Sequence, residues 1–331
     1  MSKTNFELQG IEHDLIDRYS PVFLGKGGEN LVYEVPGRGV VIKARVEPIR
    51  KILLYNFSQN LPLDTFPSEI HERSADYLRK EAARYNQLKK YFGPEHVIIQ
   101  REYVMKIPMT EDILRFIFDG NPPGKVSEVF TIVTVQKRLK AIEDPNRLGI
   151  MSGYAENNNV PSEIYQQITS HLIFGKNLDE KLEREHLLQI QSSESLRILL
   201  ESIDSDGLLR ECLQELITKV ITFTTETGEI LDFAGEDNIV IYKNENGKWN
   251  YSLVDCRYPR TKMVEETKTI LTKLSRGEKI EKGEKNTLKN VFNFVRTVNG
   301  LAEQLGIHKR INIIPENISV DNLDFLEIIR Y

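Results

Sequence analysis

A glycine-rich turn and a lysine lie close together near the start of the chain. Gly25, Gly27 and Gly28 stand between two segments rich in β-branched and aromatic residues, and an apolar pair precedes Lys43. Glycines let backbone N–H groups approach phosphate oxygens closely, and a lysine after an apolar strand can direct its ammonium group toward whatever the preceding loop covers. A GxG alone is more often a hairpin turn, but its spacing to Lys43 favours a phosphate-bearing ligand.

A second group of polar residues occurs in the rear half of the chain. Asp232 and Asn238 precede the segment IVIY, and Asp255 ends the segment WNYSLVD, with the turn NENGK between the two segments. This pattern predicts a β-hairpin, whose antiparallel pairing would bring Asn238 and Asp255 close together. Carboxylate and amide oxygens are ligands of hard cations. Taken singly, these residues could also be an ordinary polar turn and a strand end.

The glycine-rich turn resembles the protein-kinase-like superfamily, whose loop has the pattern GxGxxGxVY and whose third strand carries a lysine. The matching positions are Gly25, Gly27, Val32, Tyr33 and Lys43. Asn30 replaces the third glycine. The resemblance implies that the loop covers ATP and that Lys43 contacts its phosphates and pairs with a helix glutamate. Glu81 is the candidate for that glutamate, with Glu69 and Glu72 as competitors.

The resemblance extends to the rear half, where an Asp, an Asn, a hairpin and a final Asp follow in the family's order. It implies that Asp232 orients or deprotonates a hydroxyl acceptor and that Asn238 and Asp255 bind Mg²⁺. Asp232 and Asn238 are separated by five residues rather than the family's four, and no His-Arg or His-Gly precedes Asp232. Glu236 and Asp237 therefore remain alternatives for the base.

The elements that must position these residues can be predicted from periodicity. Apolar residues at helical spacing predict a helix over Ser74–Phe92, which Gly93 ends. Segments rich in Val, Ile, Thr and Tyr predict strands. The predicted strand regions are Pro21–Ala44, His96–Pro108 and Val129–Leu139. Val46–Glu72 is longer than the family's usual connection and is expected to form an added helix or flap.

The rear half is predicted to be mainly helical apart from the hairpin. One helix starts at Leu208 and stops at Gly228, and helical periodicity returns from Glu265 to Gln304. Together with the resemblance, this gives an α+β, bilobal protein-kinase-like fold with a small β-rich N-lobe, residues 1–136, and a larger helical C-lobe, residues 137–331. The residues expected to bind the nucleotide are Gly25, Gly27, Gly28, Asn30, Val32, Lys43, Glu81 and Gln136.

Composition narrows the function classes. The net charge is −5 without a dense basic block, which argues against nucleic acid as the main partner. The two cysteines favour a reducing cytoplasm, and no apolar run reaches the roughly 20 residues that span a bilayer. The histidines have no HExxH spacing and there is no GxSxG, so zinc and serine-hydrolase chemistry are disfavoured.

The sequence therefore predicts an ATP- and Mg²⁺-dependent phosphotransferase acting on a hydroxyl group of a protein or a small molecule. The partners expected are a nucleotide and this unidentified acceptor, with a protein partner left open and no membrane. The irregular Asp232 loop supports an alternative, a pseudokinase that binds nucleotide or regulates without catalysis. A third class is a structural or interaction protein that binds no nucleotide.

Overall fold

The structure of the 331-residue chain is a computed structural model. It describes residues 21–26, 30–65, 68–139, 147–150, 162–176, 194–233, 235, 238–258 and 260–318. The chain divides into two compact units: unit 1 is Met1–Lys90 with Ile98–Leu139, and unit 2 is Tyr91–Val97 with Lys140–Tyr331. Unit 1 is rich in β-structure and unit 2 is mainly helical, so the α+β class and the β-rich front half predicted from the sequence are confirmed.

The described part of unit 1 is built on one five-stranded antiparallel sheet in the order β1-β2-β3-β5-β4. The strands are β1 (Val22–Lys26), β2 (Asn30–Val35), β3 (Val40–Arg45), β4 (Gln100–Pro108) and β5 (Glu128–Lys137). The helices are α1 (Val46–Ser58), α2 (Ser68–Phe92) and α3 (Glu111–Ile117), of which α2 ends in unit 2.

One face of this sheet carries the core of unit 1. Leu31, Tyr33 and Val35 alternate inward along β2 and pack with apolar residues of α1 and α3. The Tyr33 hydroxyl donates a hydrogen bond of 3.0 Å to the Pro108 carbonyl, and burial raises the pKa of Tyr33. The β2–β3 turn needs positive φ, which Gly37 supplies at 72°. The opposite face is therefore the one available to polar residues.

The helix expected within Val46–Glu72 is present, but other elements of unit 1 differ from the prediction. The segment Val46–Glu72 contains α1, which begins directly after β3, and also the start of α2 at Ser68. The strand predicted to begin at His96 begins at Gln100, because residues 96 and 97 belong to unit 2 and pair there with Leu253. The helix α3, whose N-cap Thr110 accepts a hydrogen bond of 3.3 Å from the Ile113 N–H, was not predicted.

The described part of unit 2 combines a small sheet with a set of helices. The sheet has the order β6-β7-β8. Its strands are β6 (Leu148–Gly149), β7 (Ile239–Lys243) and β8 (Trp249–Leu253). The helices are α4 (Ser162–Phe174), α5 (Glu194–Ile203), α6 (Gly207–Thr227), α7 (Met263–Ser275) and α8 (Lys282–Gln304). The predicted hairpin is thus β7–β8, with register Ile239↔Leu253.

Local signals set the ends of the helices that flank the hairpin. The Asp206 carboxylate caps α6 by accepting from the Leu208 and Leu209 N–H groups at 3.1 and 3.0 Å. Gly228 ends α6 in the left-handed region, at φ 69°, as predicted. A Cβ there would also lie 2.1 Å from the Glu265 carboxylate. Among the helices of the described residues, none has the length and apolar character needed to cross a bilayer.

Candidate functional site

The β7–β8 hairpin brings Asn238 and Asp255 together at its open end. The Asn238 carbonyl accepts hydrogen bonds from the Val254 N–H at 2.9 Å and from the Asp255 N–H at 3.4 Å. These contacts continue the ladder one step beyond the Ile239↔Leu253 pair. Backbone pairing thereby places Asn238 opposite Val254 and holds its main chain beside that of Asp255.

Asp232 belongs to the same group. Its N–H donates to the Cys256 carbonyl at 2.6 Å, and its own carbonyl accepts a bond of 3.1 Å from the Asn238 amide nitrogen. Because Asn238 Nδ2 donates this bond, the orientation of its carboxamide is set and Oδ1 is directed away from the Asp232 carbonyl. The structure therefore groups Asp232, Asn238 and Asp255, three residues that the sequence assigned to catalysis and metal binding.

Gly235 makes this close grouping sterically feasible. A Cβ at this position would lie 2.6 Å from Asn238 Oδ1 and 2.9 Å from Nδ2, well inside normal contact distance. The Asn238 N–H also donates to the Gly235 carbonyl at 3.1 Å, which closes a tight turn. Sequence reasoning did not assign Gly235 a role. The signal that could have found it is a glycine three residues before the asparagine that directly precedes a strand.

The strand that leads to Asp255 is held along both edges. β7 pairs with one edge of β8, and at the other edge the Leu253 N–H donates to the His96 carbonyl at 2.7 Å. His96 also stacks on the Tyr251 ring at 3.9 Å, and its Nδ1 donates to the Tyr251 carbonyl at 3.1 Å. The segment Tyr91–Val97 thus acts as a brace for β8 within unit 2.

Cys256 follows Asp255 in the chain and accepts a bond from the Asp232 N–H, but it offers no reactive sulfur. Burial raises the pKa of the Cys256 thiol to about 12; Arg257 opposes this rise, while Asp255 and Asp232 add to it. A thiol with so high a pKa stays protonated at neutral pH and is therefore a poor nucleophile.

The donor set suits Mg²⁺ better than a transition metal. Within the described ranges, no group of three or more His, Cys, Asp or Glu side chains is arranged to hold a metal ion. Asn238 and Asp255 offer an amide oxygen and a carboxylate instead. Protein sites for Mg²⁺ commonly provide only one or two carboxylates and leave the other positions to water and phosphate oxygens. The residues present are therefore compatible with Mg²⁺ bound together with a phosphate ligand.

In unit 1, the sheet register aligns several predicted residues in one row. Gly25 pairs with Val32, Val32 with Lys43, and Lys43 with Thr134, and Thr134 pairs in turn with Glu102 on β4. Residues opposite one another on neighbouring strands share a face, so these side chains lie on the face opposite the core. Glu102 was not assigned a role from the sequence, because the β3-β5-β4 order is not sequential.

The remaining nucleotide candidates occupy different positions in unit 1. Asn30 begins β2, and a Cβ at Gly25 would meet open space, so packing within the chain does not require that glycine. Gln136 is 2% exposed and pairs with Val41 and Gln100 in the row next to Lys43. Gly27 and Gly28 lie outside the described residues.

Glu81 is buried on α2, at 7% exposure, and forms an ion pair with Arg84 at 3.2 Å. Tyr85, one turn further along the same helix face, donates to the Ile98 carbonyl and accepts from the Gln100 N–H at 3.2 Å. This face of α2 therefore lies beside the start of β4. The competing acids Glu69 and Glu72, like Glu236 and Asp237, are outside the part whose side chains are described.

The predicted site residues thus form two groups, a polar row around Lys43 in unit 1 and the Asp232, Asn238 and Asp255 group in unit 2. Comparison of the chain with protein-family models, with curated proteins and with solved structures finds no match.

Proposed function

We propose that the chain has a bilobal protein-kinase-like fold and is an ATP- and Mg²⁺-dependent phosphotransferase that acts on a hydroxyl group of a protein or small molecule. The observation that carries the proposal is the group at the open end of the hairpin. There, Asn238 accepts from the Asp255 N–H and donates to the Asp232 carbonyl. Contacts of Asn238 thus tie the backbones of two acids to one amide residue, in the chain order that this reaction uses.

Each residue has a definite task in this proposal. Asn238 and Asp255 would hold Mg²⁺, which supplies positive charge to the phosphate oxygens when bound. Lys43 would bind the phosphates as an ammonium group, and the backbone from Gly25 to Asn30 would cover them. Asp232 would orient the acceptor hydroxyl or take its proton. Catalysis of this kind depends on positioning and electrostatics, so the rate of phosphoryl transfer would depend on how rigidly these groups are held.

A nucleotide-binding and turnover experiment tests the proposal. Melting curves with ATP and Mg²⁺, and phosphate release or transfer from ATP, would be measured for the wild type, Lys43→Ala and Asp255→Asn. Loss of turnover by orders of magnitude, with the fold of the ligand-free protein intact, is expected for both variants. Glu245→Gln, in the exposed turn at the far end of the same hairpin, is the matched control. Wild-type turnover in both site variants would end the proposal.

The spacing of the loop favours one second candidate, a pseudokinase that binds nucleotide without catalysis. Five residues separate Asp232 from Asn238, and the Asp232 backbone is tied at its N–H to Cys256 and at its carbonyl to Asn238. A raised melting temperature with ATP and Mg²⁺ but no turnover would favour this candidate. No shift with ATP would favour a protein that binds no nucleotide.

The cytoplasm is the compartment we propose for this activity. Both cysteines, Cys212 and Cys256, are buried thiols, and burial raises the pKa of Cys212 to about 11. Unoxidised thiols match a reducing compartment.

A further inference from the structure

A histidine, an acid and an arginine of unit 2 meet where α4 and α8 end. His171 lies in the last turn of α4, Glu303 in the last turn of α8, and Arg310 in the segment that follows α8. Their side chains are 14%, 27% and 33% exposed. Contacts within this cluster are therefore screened by water less than contacts at an open surface.

A backbone carbonyl fixes the state of one nitrogen of the His171 ring. Nδ1 lies 2.8 Å from the Lys176 carbonyl oxygen, and a carbonyl can only accept a hydrogen bond. Nδ1 therefore carries a proton whether the ring is neutral or charged. The charge of the ring is then decided at Nε2, which holds either a lone pair or a second proton.

Nε2 faces an acid and a guanidinium at the same time. Glu303 Oε2 is 2.8 Å and Arg310 Nη2 is 3.0 Å from Nε2, and these two atoms are 2.7 Å from each other. A carboxylate only accepts hydrogen bonds and a guanidinium only donates them. A neutral Nε2 can therefore bond to Arg310 but repels Glu303, whereas a protonated Nε2 can bond to Glu303 but repels Arg310. The ion pair between Arg310 and Glu303 is compatible with both states.

We infer that His171 is a pH-dependent switch: its neutral ring accepts a hydrogen bond from Arg310, and its protonated ring donates to Glu303 instead and repels Arg310. Histidine side chains change charge between about pH 5 and 8. Glu303 stays ionised over this range, because the hydrogen bond from His171 lowers the pKa of Glu303, and arginine keeps its charge throughout. In the described part of the chain, Glu303 from α8 and Arg310 from the segment after it are the charged side chains that contact the ring.

The switch acts on the Arg310 side chain and leaves the rest of its segment attached. Ile311 is 2% exposed, and its N–H and carbonyl both bond to the Asn299 carboxamide, at 2.9 and 3.1 Å. These bonds involve no group that titrates between pH 5 and 8. We therefore expect one proton on His171 to change how the end of α4 is joined to Arg310 while Ile311 stays in place.

NMR of the ring nitrogens tests the switch in the ligand-free protein. The tautomer and the titration midpoint of His171 would be measured between about pH 5 and 9 in wild type, Arg310→Gln, Glu303→Gln and Lys309→Gln, with His171→Gln to identify the signal. The ring should carry its proton on Nδ1 in alkaline solution. Arg310→Gln should raise the midpoint by about one pH unit and Glu303→Gln should lower it by a similar amount, because each removes one of two opposed charges. Lys309→Gln removes an exposed cation next to Arg310 and is the matched control, which should leave the midpoint almost unchanged.

Urea unfolding tests whether the protonated ring repels Arg310. Arg310→Gln should lower the urea midpoint at about pH 8, where Arg310 bonds to the ring, and lower it less at about pH 5.5, where the ring is charged. This dependence on pH should disappear in a His171→Gln background, because glutamine does not titrate. If Arg310→Gln does not fold, the wild-type tautomer and the midpoint in Glu303→Gln test the inference without it.

Three outcomes would overturn the inference. The first is a wild-type ring that carries its proton on Nε2 in alkaline solution. The second is a His171 midpoint that Arg310→Gln and Glu303→Gln leave unchanged or move in the same direction. The third is an equal loss of urea midpoint in Arg310→Gln at both pH values, which is what an ion pair with Glu303 alone would give. None of these measurements uses a nucleotide, so their results are independent of the proposed function.

Discussion

Replacing Gly235 by alanine probes the tightest contact of the candidate site. The new methyl group would lie 2.6 Å from Asn238 Oδ1, about 0.8 Å inside the 3.4 Å at which ordinary contact begins. Asn238 can move away only by giving up its bond of 3.1 Å to the Asp232 carbonyl. Overpacking costs about 1–3 kcal/mol and a lost hydrogen bond about 1 kcal/mol. We expect a loss of about 2 kcal/mol, or roughly 4–8 °C in melting temperature.

A double-mutant cycle assigns this cost to one contact. Gly235→Ala, Asn238→Ala and the double variant would be unfolded in urea and monitored by circular dichroism. Because Asn238→Ala removes the atoms that the methyl group meets, Gly235→Ala should cost almost nothing in that background. Gly283→Ala, in α8 where a Cβ meets open space, is the control and should be neutral or slightly stabilising. Equal costs of Gly235→Ala in both backgrounds would refute the reasoning.

Three further predictions concern ligand binding, packing and pH. In calorimetric titrations with ATP and Mg²⁺, the double variant of Lys43→Ala and Asp255→Asn should lose about 1 kcal/mol less binding free energy than the two single variants lose in sum, if both residues contact one nucleotide. Strictly additive losses would contradict this. Asn299→Ala should lower the free energy of unfolding in urea by about 3 kcal/mol, because the Asn299 carboxamide is 1% exposed and makes three buried hydrogen bonds to backbone groups. A loss below about 1 kcal/mol would contradict a stabilising role for these bonds. The hydrogen bond from His171 lowers the pKa of Glu303 in the folded protein. The Glu303 carboxylate should therefore contribute fully to the free energy of unfolding above the ordinary carboxyl pKa of about 4.3, and this contribution should be lost as the pH falls through the lower pKa of the folded state. The melting-temperature gap between wild type and Glu303→Gln should therefore close in acid, and a gap that widens there would be incompatible with this pairing.

Much of the fold could be predicted because its signals are local. The hairpin β7–β8 follows from two β-rich segments around the turn NENGK, and Gly228 ended its helix as expected because it adopts φ 69°. The helix α2 extends six residues further toward the N-terminus than its predicted start at Ser74. Helix starts are harder to predict than stops when no capping residue precedes them, and polar turns at the start of α2 hide its periodicity.

Elements that depend on distant partners were harder to predict. His96 belongs to a β-rich stretch and was assigned to the first sheet, yet its carbonyl bonds to Leu253, which is far away in sequence. The segment after Glu265 is helical as predicted but consists of two helices, because Gly277 adopts φ 73° and a capping box at Glu281 starts the second. Neither the partner of His96 nor the short helix α3 is marked by a periodic pattern long enough to detect.

The candidate site shows the same division between local and distant information. Asn238 and Asp255 could be placed together from the sequence, because a hairpin fixes which of its residues are neighbours. Glu102 could not be placed in the register row of Lys43, because their alignment requires β5 to insert between β3 and β4. Gly235 was also missed, since its role depends on how closely the Asn238 side chain folds back over the turn.

The way Asp255 is held determines how a loss of activity should be interpreted. Its backbone N–H bonds to Asn238, and the strand before it is fixed by β7 on one edge and by His96 on the other. None of these bonds uses the Asp255 carboxylate. Asp255→Asn changes the charge of that group but leaves these backbone bonds in place, so it should alter metal and nucleotide binding while the hairpin stays folded. A variant of the brace, such as His96→Ala, should instead lower both stability and binding, because it loosens the strand that carries the acid.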